Sequence, residues 1–545
     1  MKDEQAAFDA IIMGAGFAGV YMLYRLRDMG YNVRVYEAAD GVGGTWYWNR
    51  YPGARCDAES LAYSFSFDEE LVQEWEWTER YATQPEILDY AEHVADRYDL
   101  RPHMLFERRV TAAHYDEAAN LWRIQTDEGD TAHAPILISA IGCLSVPALP
   151  DIPGLDDFQG ERYQASQWPH HRVLYEDKHV GVIGTGSSAI QSIPVIAETA
   201  QQLTVFQRTP NFSVPAANGP LDADWVRAYK KNYRAHRENY KWGLTNSFGD
   251  LTIDVRHSEP VAEFGRDIND EDLEVALEEG WKKGGASFMT TVMDSMANQE
   301  TNDRFAAFIH CKIHEAVDDP VTAAALCPTS HPVGSRRICV DIDYYKTYNR
   351  DNVSLVNLLE TPIERITETG IQLSDRHVEL DMLVLATGFD AMTGAFNKID
   401  IRGRGNKALK DKWADGPKTY LGLMMVDFPN LFTITGPGSP SVLSNMLISI
   451  EQHVDMIADC LTHAKEQGAQ VIEPTQLSED YWMQHAQQMA SETLFPKGSS
   501  WYLGANIKGK PQVFMPYTGG VGGYREICDK IIAQDWRGFS FTAHA

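Results

Sequence analysis

Two glycine-rich loops are the first residues whose spacing points to chemistry. Gly14-Ala-Gly-Phe-Ala-Gly19 has the pattern G-x-G-x-x-G, and Gly184-Thr-Gly-Ser-Ser-Ala189 has the related pattern that ends in alanine. Such a loop lets the backbone approach a pyrophosphate, whose charge is favoured by the N-terminus of the following helix. A chance glycine turn is the alternative for a single match. Two matches in this setting favour two dinucleotide-binding sites.

The residue 23 positions after the first glycine of each loop distinguishes the two sites. For the first loop it is Glu37, a carboxylate that can accept hydrogen bonds from ribose hydroxyls. For the second loop it is Gln207, followed by Arg208 and Thr209. A cation and a hydroxyl beside the missing acid favour a 2′-phosphate and therefore NADPH over NADH. The alternative is that Arg208 is an ordinary exposed arginine.

Each loop lies between a predicted strand and a predicted helix. Residues 8–13 form an apolar strand, a helical pattern runs to Met29, and a second strand covers 32–37. The same order returns with strands at 179–183 and 203–207 around a second helix. These units predict an α/β fold with two Rossmann-like dinucleotide-binding domains, one for FAD and one for NADP.

The residue composition and the apolar pattern of the remaining chain predict discontinuous domains. Residues 145–154 carry three prolines and a glycine, as is typical of a linker. Charged, helix-favouring stretches between 221 and 328 indicate a helical insertion, and the apolar run 380–389 predicts a strand at which the chain re-enters the first domain. The predicted boundaries are 1–145 and 381–545 for the FAD-binding domain, 146–220 and 329–380 for the NADP-binding domain, and 221–328 for the helical insertion.

Composition excludes several classes of partner. The 545 residues include 77 acidic and 48 basic ones, a formal net charge of −29, which disfavours nucleic acid or an anionic membrane as the principal partner. The N-terminus is acidic where a signal peptide is basic, and no apolar run approaches the roughly 20 residues of a spanning helix. Seven scattered cysteines argue against a disulfide framework. We expect a cytoplasmic protein.

The fate of a reduced flavin defines the class of enzyme that uses two dinucleotides. Disulfide reductases need a paired redox cysteine, and the sequence has no C-x-x-C or C-x-x-x-x-C. Reaction of the flavin with O₂ is the remaining common fate. His310 and His314 lie four residues apart, but no glutamate follows the first as in H-E-x-x-H, so no metal site is predicted.

Several long motifs resemble the Baeyer-Villiger monooxygenase family. The segment 43–57, GGTWYWNRYPGARCD, looks like the aromatic fingerprint of that family. The segment 158–169, FQGERYQASQWP, resembles its fingerprint F-x-G-x-x-x-H-x-x-x-W-P, with Gln164 in place of the histidine. Further likeness, which extends over nearly the whole chain, lies at 207–210, 336–337, 344–345, 386–390, 436–440 and 500–502.

The resemblance implies a reaction and its partners. NADPH reduces FAD, O₂ adds to give a C4a-peroxyflavin, and one oxygen atom is inserted beside the carbonyl of a ketone to form an ester or a lactone. The implied partners are a small-molecule ketone and O₂, with the chain a monomer or a weak homo-oligomer. Oxidation of nitrogen or sulfur in a small molecule is the alternative, and the identity of the ketone stays open.

The resemblance also assigns residue roles. Arg337 matches the catalytic arginine of the family, which stays cationic beside an anionic oxygen, and Asp57 matches the aspartate that orients it beside the flavin. A surface ion pair and a turn cap are the structural alternatives for these two. The predicted flavin contacts are Gly14, Gly16, Phe17, Gly19, Glu37, Gly44, Thr45, Trp46, Tyr47, Trp48, Asp57, Ala58, Tyr63, Val110 and Met446. The predicted NADP contacts are Arg55, Cys56, Thr185, Gly186, Ser187, Ser188, Ala189, Ile190, Gln191, Arg208, Thr209, Arg336, Arg337 and Trp501.

The Gln164 departure from the fingerprint generates a test. Glutamine can donate and accept hydrogen bonds but cannot become cationic near neutral pH, as histidine can. We expect ketone-dependent NADPH oxidation with the native residue and no large gain in Gln164→His. Rates of both proteins across pH check this expectation, and a large gain in the variant would mean that the native linker is impaired.

Overall fold

The computed structural model describes residues 6–242 and 264–543. The acidic first residues 1–5, part of the predicted helical insertion (243–263) and residues 544–545 lie outside the described residues. Among the described helices, none is both long and apolar enough to cross a membrane.

Two parallel sheets organise the described chain, and the elements have the following bounds. The strands are β1 Ala6–Ala7, β2 Ala10–Met13, β3 Val33–Tyr36, β4 Met104–Leu105, β5 Val110–Asp116, β6 Leu121–Thr126, β7 Thr131–Ala134, β8 Ile136–Ser139, β9 Glu161–Gln164, β10 His179–Ile183, β11 Gln202–Gln207, β12 Ser213–Pro215, β13 Cys339–Asp341, β14 Val353–Asn357, β15 Ile363–Thr367, β16 Gly370–Leu373, β17 His377–Glu379, β18 Met382–Leu385, β19 Asp400–Arg402, β20 Leu431–Thr433, β21 Val471–Pro474 and β22 Phe539–Thr542. The α-helices are α1 Phe17–Asp28, α2 Thr45–Trp48, α3 Glu69–Glu74, α4 Gln84–Arg97, α5 Ser187–Thr199, α6 Ala223–Lys231, α7 Tyr233–Trp242, α8 Asp270–Lys283, α9 Gln299–Ala316, α10 Pro320–Leu326, α11 Tyr344–Thr347, α12 Gly394–Asn397, α13 Leu409–Lys412, α14 Met446–Glu466, α15 Gln476–Ser491 and α16 Gly520–Ala533. Short 3₁₀ helices lie at Arg101–His103, Leu155–Asp157, Ala165–Gln167, Gly265–Asp267, Ala286–Thr290, Arg404–Asn406, Ser441–Leu443, Phe495–Gly498 and Trp501–Leu503.

The first sheet has the strand order β20-β8-β2-β3-β4 and the second has β14-β11-β10-β18-β9. All pairs within these two sheets are parallel. Their central strands β2, β8 and β18 are buried along their whole length, which explains the continuous apolar runs in the sequence. Helices α1 and α5 follow β2 and β10 as predicted, so the α/β fold class with two Rossmann-like units is confirmed.

One predicted element joins the other sheet. Strand β18 pairs with β10 and β9 of the second sheet, so the prediction that the chain re-enters the first unit at this strand is wrong. The apolar run has the pattern of any central parallel strand, and that pattern does not specify a sheet. The chain returns to the first sheet with β20, which pairs with β8.

Two chain segments that cross between the sheets pair with each other. We call residues 143–148 and 387–392 the crossing ribbon. Ala148 N donates to Gly388 O at 2.9 Å and Asp390 N donates to Val146 O at 2.9 Å. These bonds fix one crossing against the other, so the two units are joined by a paired connection rather than by two free linkers.

The helices of the middle third of the chain pack on both units. Tyr229 and Tyr233 of α6 and α7 lie in the core of the first unit, whereas Leu273 and Phe305 of α8 and α9 lie in the core of the second. Arg237, which is buried, donates to the carbonyl oxygens of residues 61, 62 and 64 of the first unit. The described part of the predicted insertion is therefore helical and divided between two cores.

A buried ion pair between helices α13 and α15 generates a stability prediction. Lys412 Nζ donates to Glu479 Oε2 at 2.8 Å, and their side chains are 6% and 0% exposed. Lys412→Met leaves the carboxylate with Val426 N as its backbone donor but without its cation. Breaking one side of a buried pair costs about 3 kcal/mol.

We therefore expect Lys412→Met to lower the midpoint of urea unfolding clearly. Lys410→Met, an exposed lysine on the same helix, is the matched control and should leave the midpoint unchanged. Equal midpoints for the two variants would contradict the prediction.

Candidate active site

The first glycine loop is shaped by close backbone contacts. Gly14 has φ +102°, and a Cβ atom there would lie 2.6 Å from Ala140 O. Helix α1 begins after Gly16, and no side chain caps its first amides. Uncapped amides at the start of a 12-residue helix fit a phosphate group.

Glu37 holds this loop from inside. Its carboxylate accepts hydrogen bonds from Ala15 N at 2.6 Å and from Ala39 N at 2.8 Å. Burial raises the pKa of the Glu37 carboxyl, and the two backbone donors act in the opposite direction. Phe17, the residue that follows Gly16, packs edge-on against Tyr63 with ring centroids 5.9 Å apart. Gly19 has no room for a side chain, because a Cβ atom would lie 1.9 Å from Gly14 O.

The second loop repeats this architecture. Helix α5 begins after Gly186 without a side-chain cap, and a Cβ atom at Gly186 would meet no heavy atom within 4 Å. The loop therefore faces open space beside free amides, which again fits a phosphate. Thr185 donates through Oγ1 to Thr209 O at 3.0 Å and ties the loop to the residue after Arg208. Ala189 and Ile190 are buried in the core behind the loop.

Two arginines, Arg208 and Arg336, lie close together beside the second loop. Among the described residues, neither Arg208 nor Arg336 forms an ion pair with a carboxylate, and Arg336 Nε donates to Gly498 O at 2.8 Å. Burial and the neighbouring Arg208 cation both lower the pKa of Arg336. Two adjacent cations without an acid form an anion site. Gln207, at the end of β11, is buried, and its Nε2 donates to Ala325 O at 2.7 Å.

A bidentate ion pair joins the two units at the centre of the site. Arg337 Nε donates to Asp57 Oδ2 at 2.6 Å, and Nη2 donates to Asp57 Oδ1 at 2.8 Å. The remaining nitrogen, Nη1, donates to Val442 O at 2.6 Å. The side chains are 23% and 26% exposed, so the pair is held within the protein and is still open to a ligand. The surface-pair alternative for Arg337 does not fit this burial.

The ion pair fixes the charge of both groups. Burial alone would raise the pKa of Asp57, but the Arg337 charge and hydrogen bonds hold it below its ordinary value. Burial would lower the pKa of Arg337, and Asp57 raises it well above its ordinary value. The site therefore contains a permanent cation and a permanent anion.

Residues 45–48 of the aromatic fingerprint form the short helix α2. Gly44, with φ +53°, precedes α2, and Trp46 Nε1 donates to Tyr63 OH at 3.0 Å. Burial raises the pKa of Tyr63, so its hydroxyl stays protonated. Tyr47 OH donates to Asp40 Oδ1, and the Tyr47 and Trp48 rings are 5.0 Å apart. Thr45 O accepts from Asn49 Nδ2 at 2.8 Å.

Gln191 connects the fingerprint to the second unit. Its Oε1 accepts from Tyr51 OH at 2.9 Å, and its Nε2 donates to Arg55 O at 3.1 Å. Arg55 itself pairs with Glu79 at 2.8 Å. A side chain predicted to touch NADP thus also spans the two units.

The remaining predicted residues do not all lie beside the ion pair. Cys56, Ala58 and Ser187 lie around the ion pair; burial raises the pKa of the Cys56 thiol, and Ser187 Oγ lies 3.4 Å from Cys339 Sγ. Ser188 O accepts from Ser192 Oγ within α5. Met446 begins α14 and packs against the cores of both units. Val110 packs in a separate core cluster that includes Tyr36, the residue before Glu37.

Two features of the site were missed by sequence reasoning. Tyr502 is fully buried beside Trp501, with ring centroids 4.3 Å apart, and burial raises its pKa to about 12 although the Arg337 cation opposes this. The second feature is the Val442 carbonyl oxygen, which accepts from Arg337. The Ser-Trp-Tyr motif could have indicated Tyr502, whereas a backbone carbonyl has no residue-type signal.

Gln164 ends β9, next to Leu385 of β18. Its Nε2 donates to Ser166 Oγ at 3.3 Å, and its buried Oε1 has no hydrogen-bond partner among the described residues.

His310, one of the two histidines four residues apart, forms a hydrogen bond with Pro328 O at 2.8 Å. In the described part of the chain, no group of three or more His, Cys, Asp or Glu residues is arranged to hold a metal ion.

Comparisons with known proteins place the chain in a class. Residues 11–245 match the family described as pyridine nucleotide-disulphide oxidoreductase. The chain is 43% identical over 528 residues to a Baeyer-Villiger monooxygenase of Pseudooceanicola batsensis, covering 96% of this chain and 94% of that protein. It is 40% identical over 540 residues to a cyclohexanone 1,2-monooxygenase of Acinetobacter, and the match covers 98% of this chain and 97% of that protein. A solved structure, oxidized steroid monooxygenase bound to NADP, has a TM-score of 0.93 at 47% identity and covers 98% of this chain and 100% of that chain.

Fold and site thus define a flavoprotein monooxygenase built from two dinucleotide-binding units. More specifically, the chain belongs to the Baeyer-Villiger monooxygenase family. The resemblance seen in the sequence motifs is confirmed.

A buried carboxyl four residues after Arg337 generates a pH-dependent prediction. Asp341 accepts from Ser213 Oγ and Tyr344 N, and burial raises its pKa to about 6, with Asp343 raising it and Lys346 lowering it. An acid whose folded pKa exceeds its unfolded value of about 4 destabilises the fold when ionised. This cost is complete above pH 6 and disappears as the pH falls towards 4.

Asp341→Asn is neutral at every pH. At pH 8 its free energy of unfolding should therefore exceed that of the native protein by an amount on the order of 2 kcal/mol, and it should unfold at a higher temperature. The difference should shrink as the pH falls from 6 to 4. Thermal unfolding across this range measures it, with the exposed Asp351→Asn as control. A difference that does not vary with pH would refute the role of burial.

Proposed function

We propose that this protein converts ketones to esters or lactones with O₂ and NADPH, as a Baeyer-Villiger monooxygenase. The observation that carries the proposal is the bidentate Arg337–Asp57 pair, placed where the aromatic fingerprint of one unit meets the other unit. FAD and NADP(H) are its cofactors. When bound, FAD would accept a hydride from NADPH and, once reduced, would react with O₂.

The residues of the two loops support the placement of these cofactors. We assign FAD to the first unit, where Gly16 and the uncapped start of α1 would hold its pyrophosphate and Glu37 braces the loop. We assign NADP(H) to the second unit, where the start of α5 would hold the pyrophosphate. Arg208 and Arg336, which have no acidic partner among the described residues, would bind the 2′-phosphate.

Arg337 supplies the fixed positive charge that the reaction needs. Oxygen attack on a carbonyl places negative charge on the carbonyl oxygen, and a preorganised cation stabilises this charge most in the transition state. Because Asp57 holds two of the guanidinium nitrogens and Val442 O a third, the cation cannot turn away into solvent. Asp57 is the positioning residue, since it orients the guanidinium and balances its charge.

Further properties of the protein rest on the same proposal. We infer that it acts in the cytoplasm on small ketones, as a monomer or weak homo-oligomer. We also infer that the FAD-binding and NADP-binding domains are discontinuous, with their second crossing at 387–392 rather than before β18. Oxidation of nitrogen or sulfur by the same cofactors is the competing activity that the experiment must separate.

The test uses purified holoenzyme with NADPH, O₂ and a panel of cyclic, linear and bulky ketones, together with an amine and a sulfide. We expect products one oxygen atom heavier than the ketones. Arg337→Met should reduce ester or lactone formation by about a hundredfold or more, because it removes the charge that stabilises the adduct oxygen.

Arg376→Met, which removes an exposed arginine paired with its neighbour Asp375, is the matched control and should retain full activity. Product masses and NADPH consumption are measured in parallel. The proposal fails if NADPH is consumed without any oxygenated ketone product, or if only the amine and the sulfide are oxygenated.

A further inference from the structure

The segment that carries Trp501 is attached to the crossing ribbon. It leaves the site in a single 3₁₀ turn, Trp501–Leu503, closed by Gly504 with φ +74°. An exposed or half-exposed stretch follows, up to residue 510. Asn506 Nδ2 donates to Phe389 O of the ribbon at 2.7 Å.

Lys510 makes the stronger attachment. Its Nζ donates to Asp390 Oδ1 at 2.5 Å and to Ala391 O at 2.6 Å, both in the ribbon. The side chains of Lys510 and Asp390 are 8% and 21% exposed, so the pair is largely removed from solvent. A charge-assisted bond with this burial is screened less by salt than a surface pair and holds its partners more firmly.

The stem of Lys510 also contacts the turn itself. A Cβ atom at Gly504 would lie 3.0 Å from Lys510 Cδ and 3.1 Å from Lys510 Cγ. The lysine therefore passes over the residue that closes the Trp501 turn before it reaches the ribbon. One side chain contacts both the turn and the connection between the two units.

The other end of the turn faces the active site. Tyr502, next to Trp501, is buried beside Arg337, and Tyr502 O accepts from Met515 N at 3.0 Å. The Trp501 turn is thus held between the catalytic pair on one side and the ribbon on the other.

We propose that Lys510 is a positioning residue for the nicotinamide nucleotide: its bond to Asp390 fixes the Trp501 turn to the crossing ribbon and so holds the turn in the position from which it contacts NADP(H). The inference rests on the proposed function, because it takes Trp501 as a contact of NADP. Asp390 is the ribbon's half of the attachment, 120 residues away in the chain.

The test measures binding rather than turnover. NADP⁺ is titrated into oxidised holoenzyme, and its dissociation constant is read from the change in flavin absorbance. Lys510→Met keeps an apolar stem over Gly504 and removes the charge; we expect NADP⁺ to bind about tenfold more weakly. Hydrogen exchange of peptide 499–507 in the NADP⁺ complex should become faster.

Two further variants separate positioning from a general loss of stability. Asp390→Asn should also weaken NADP⁺ binding, and the double variant should bind no more weakly than Lys510→Met, because the lysine variant already lacks the bond to Asp390 as well as the bond to Ala391 O. Lys510→Arg should retain most of the affinity. If Lys510→Met does not fold, Asp390→Asn and Lys510→Arg still decide the outcome.

Lys508→Met is the matched control, since Lys508 lies two residues away, is 94% exposed, and should not affect binding. The inference is overturned if Lys510→Met and Asp390→Asn bind NADP⁺ and exchange hydrogen as Lys508→Met does, or if their effects add in the double variant. Failure of the proposed function gives a different result, namely native holoenzyme that binds no NADP⁺ or forms no oxygenated ketone.

Discussion

The structure depends on one ion pair whose partners are 280 residues apart. Asp57 ends the aromatic fingerprint of the first unit, and Arg337 precedes β13, which packs beside the second unit. A bidentate bond tolerates little rotation or displacement of either partner, because two donor–acceptor distances must be satisfied together. The two units can form this site only in a narrow range of relative orientations. The crossing ribbon, Gln191 and the helices shared by both cores all restrict that orientation.

The electrostatics of the site follow from the same constraint. Partly buried charges are costly unless they are paired and hydrogen-bonded. Asp57 and Arg337 satisfy this condition with each other and with the Val442 carbonyl oxygen, so the cation is stable before any substrate arrives. Arg208 and Arg336 are the opposite case, since two cations lie together with no acid of the described residues to balance them. The charges of the first pair balance each other, whereas those of the second pair are not balanced by any described carboxylate.

Sequence reasoning reaches those parts of the fold and site that are encoded locally. The glycine loops, the strands beside them and Glu37 follow from spacing, because a phosphate loop requires backbone without side chains at defined positions. Asp57 and Arg337 follow from family likeness, and the structure places them in contact. The sheet that contains β18 does not follow, because a buried parallel strand has the same apolar pattern in either unit. Val442 and the Lys510–Asp390 pair could not be predicted either, since each acts through a contact distant in sequence and Val442 uses a backbone atom.

The division of the central helices between two cores affects how members of this family can be recombined. Arg237 bonds to three carbonyl oxygens of the first unit, whereas Phe305 packs inside the second. Such a segment cannot be replaced by that of a relative simply by joining the chains at its two ends. A chimera that imports these helices must also import the surfaces that receive them on both sides, or it will carry a buried guanidinium without acceptors. The contacts of this segment are therefore inherited together with the two cores that receive it.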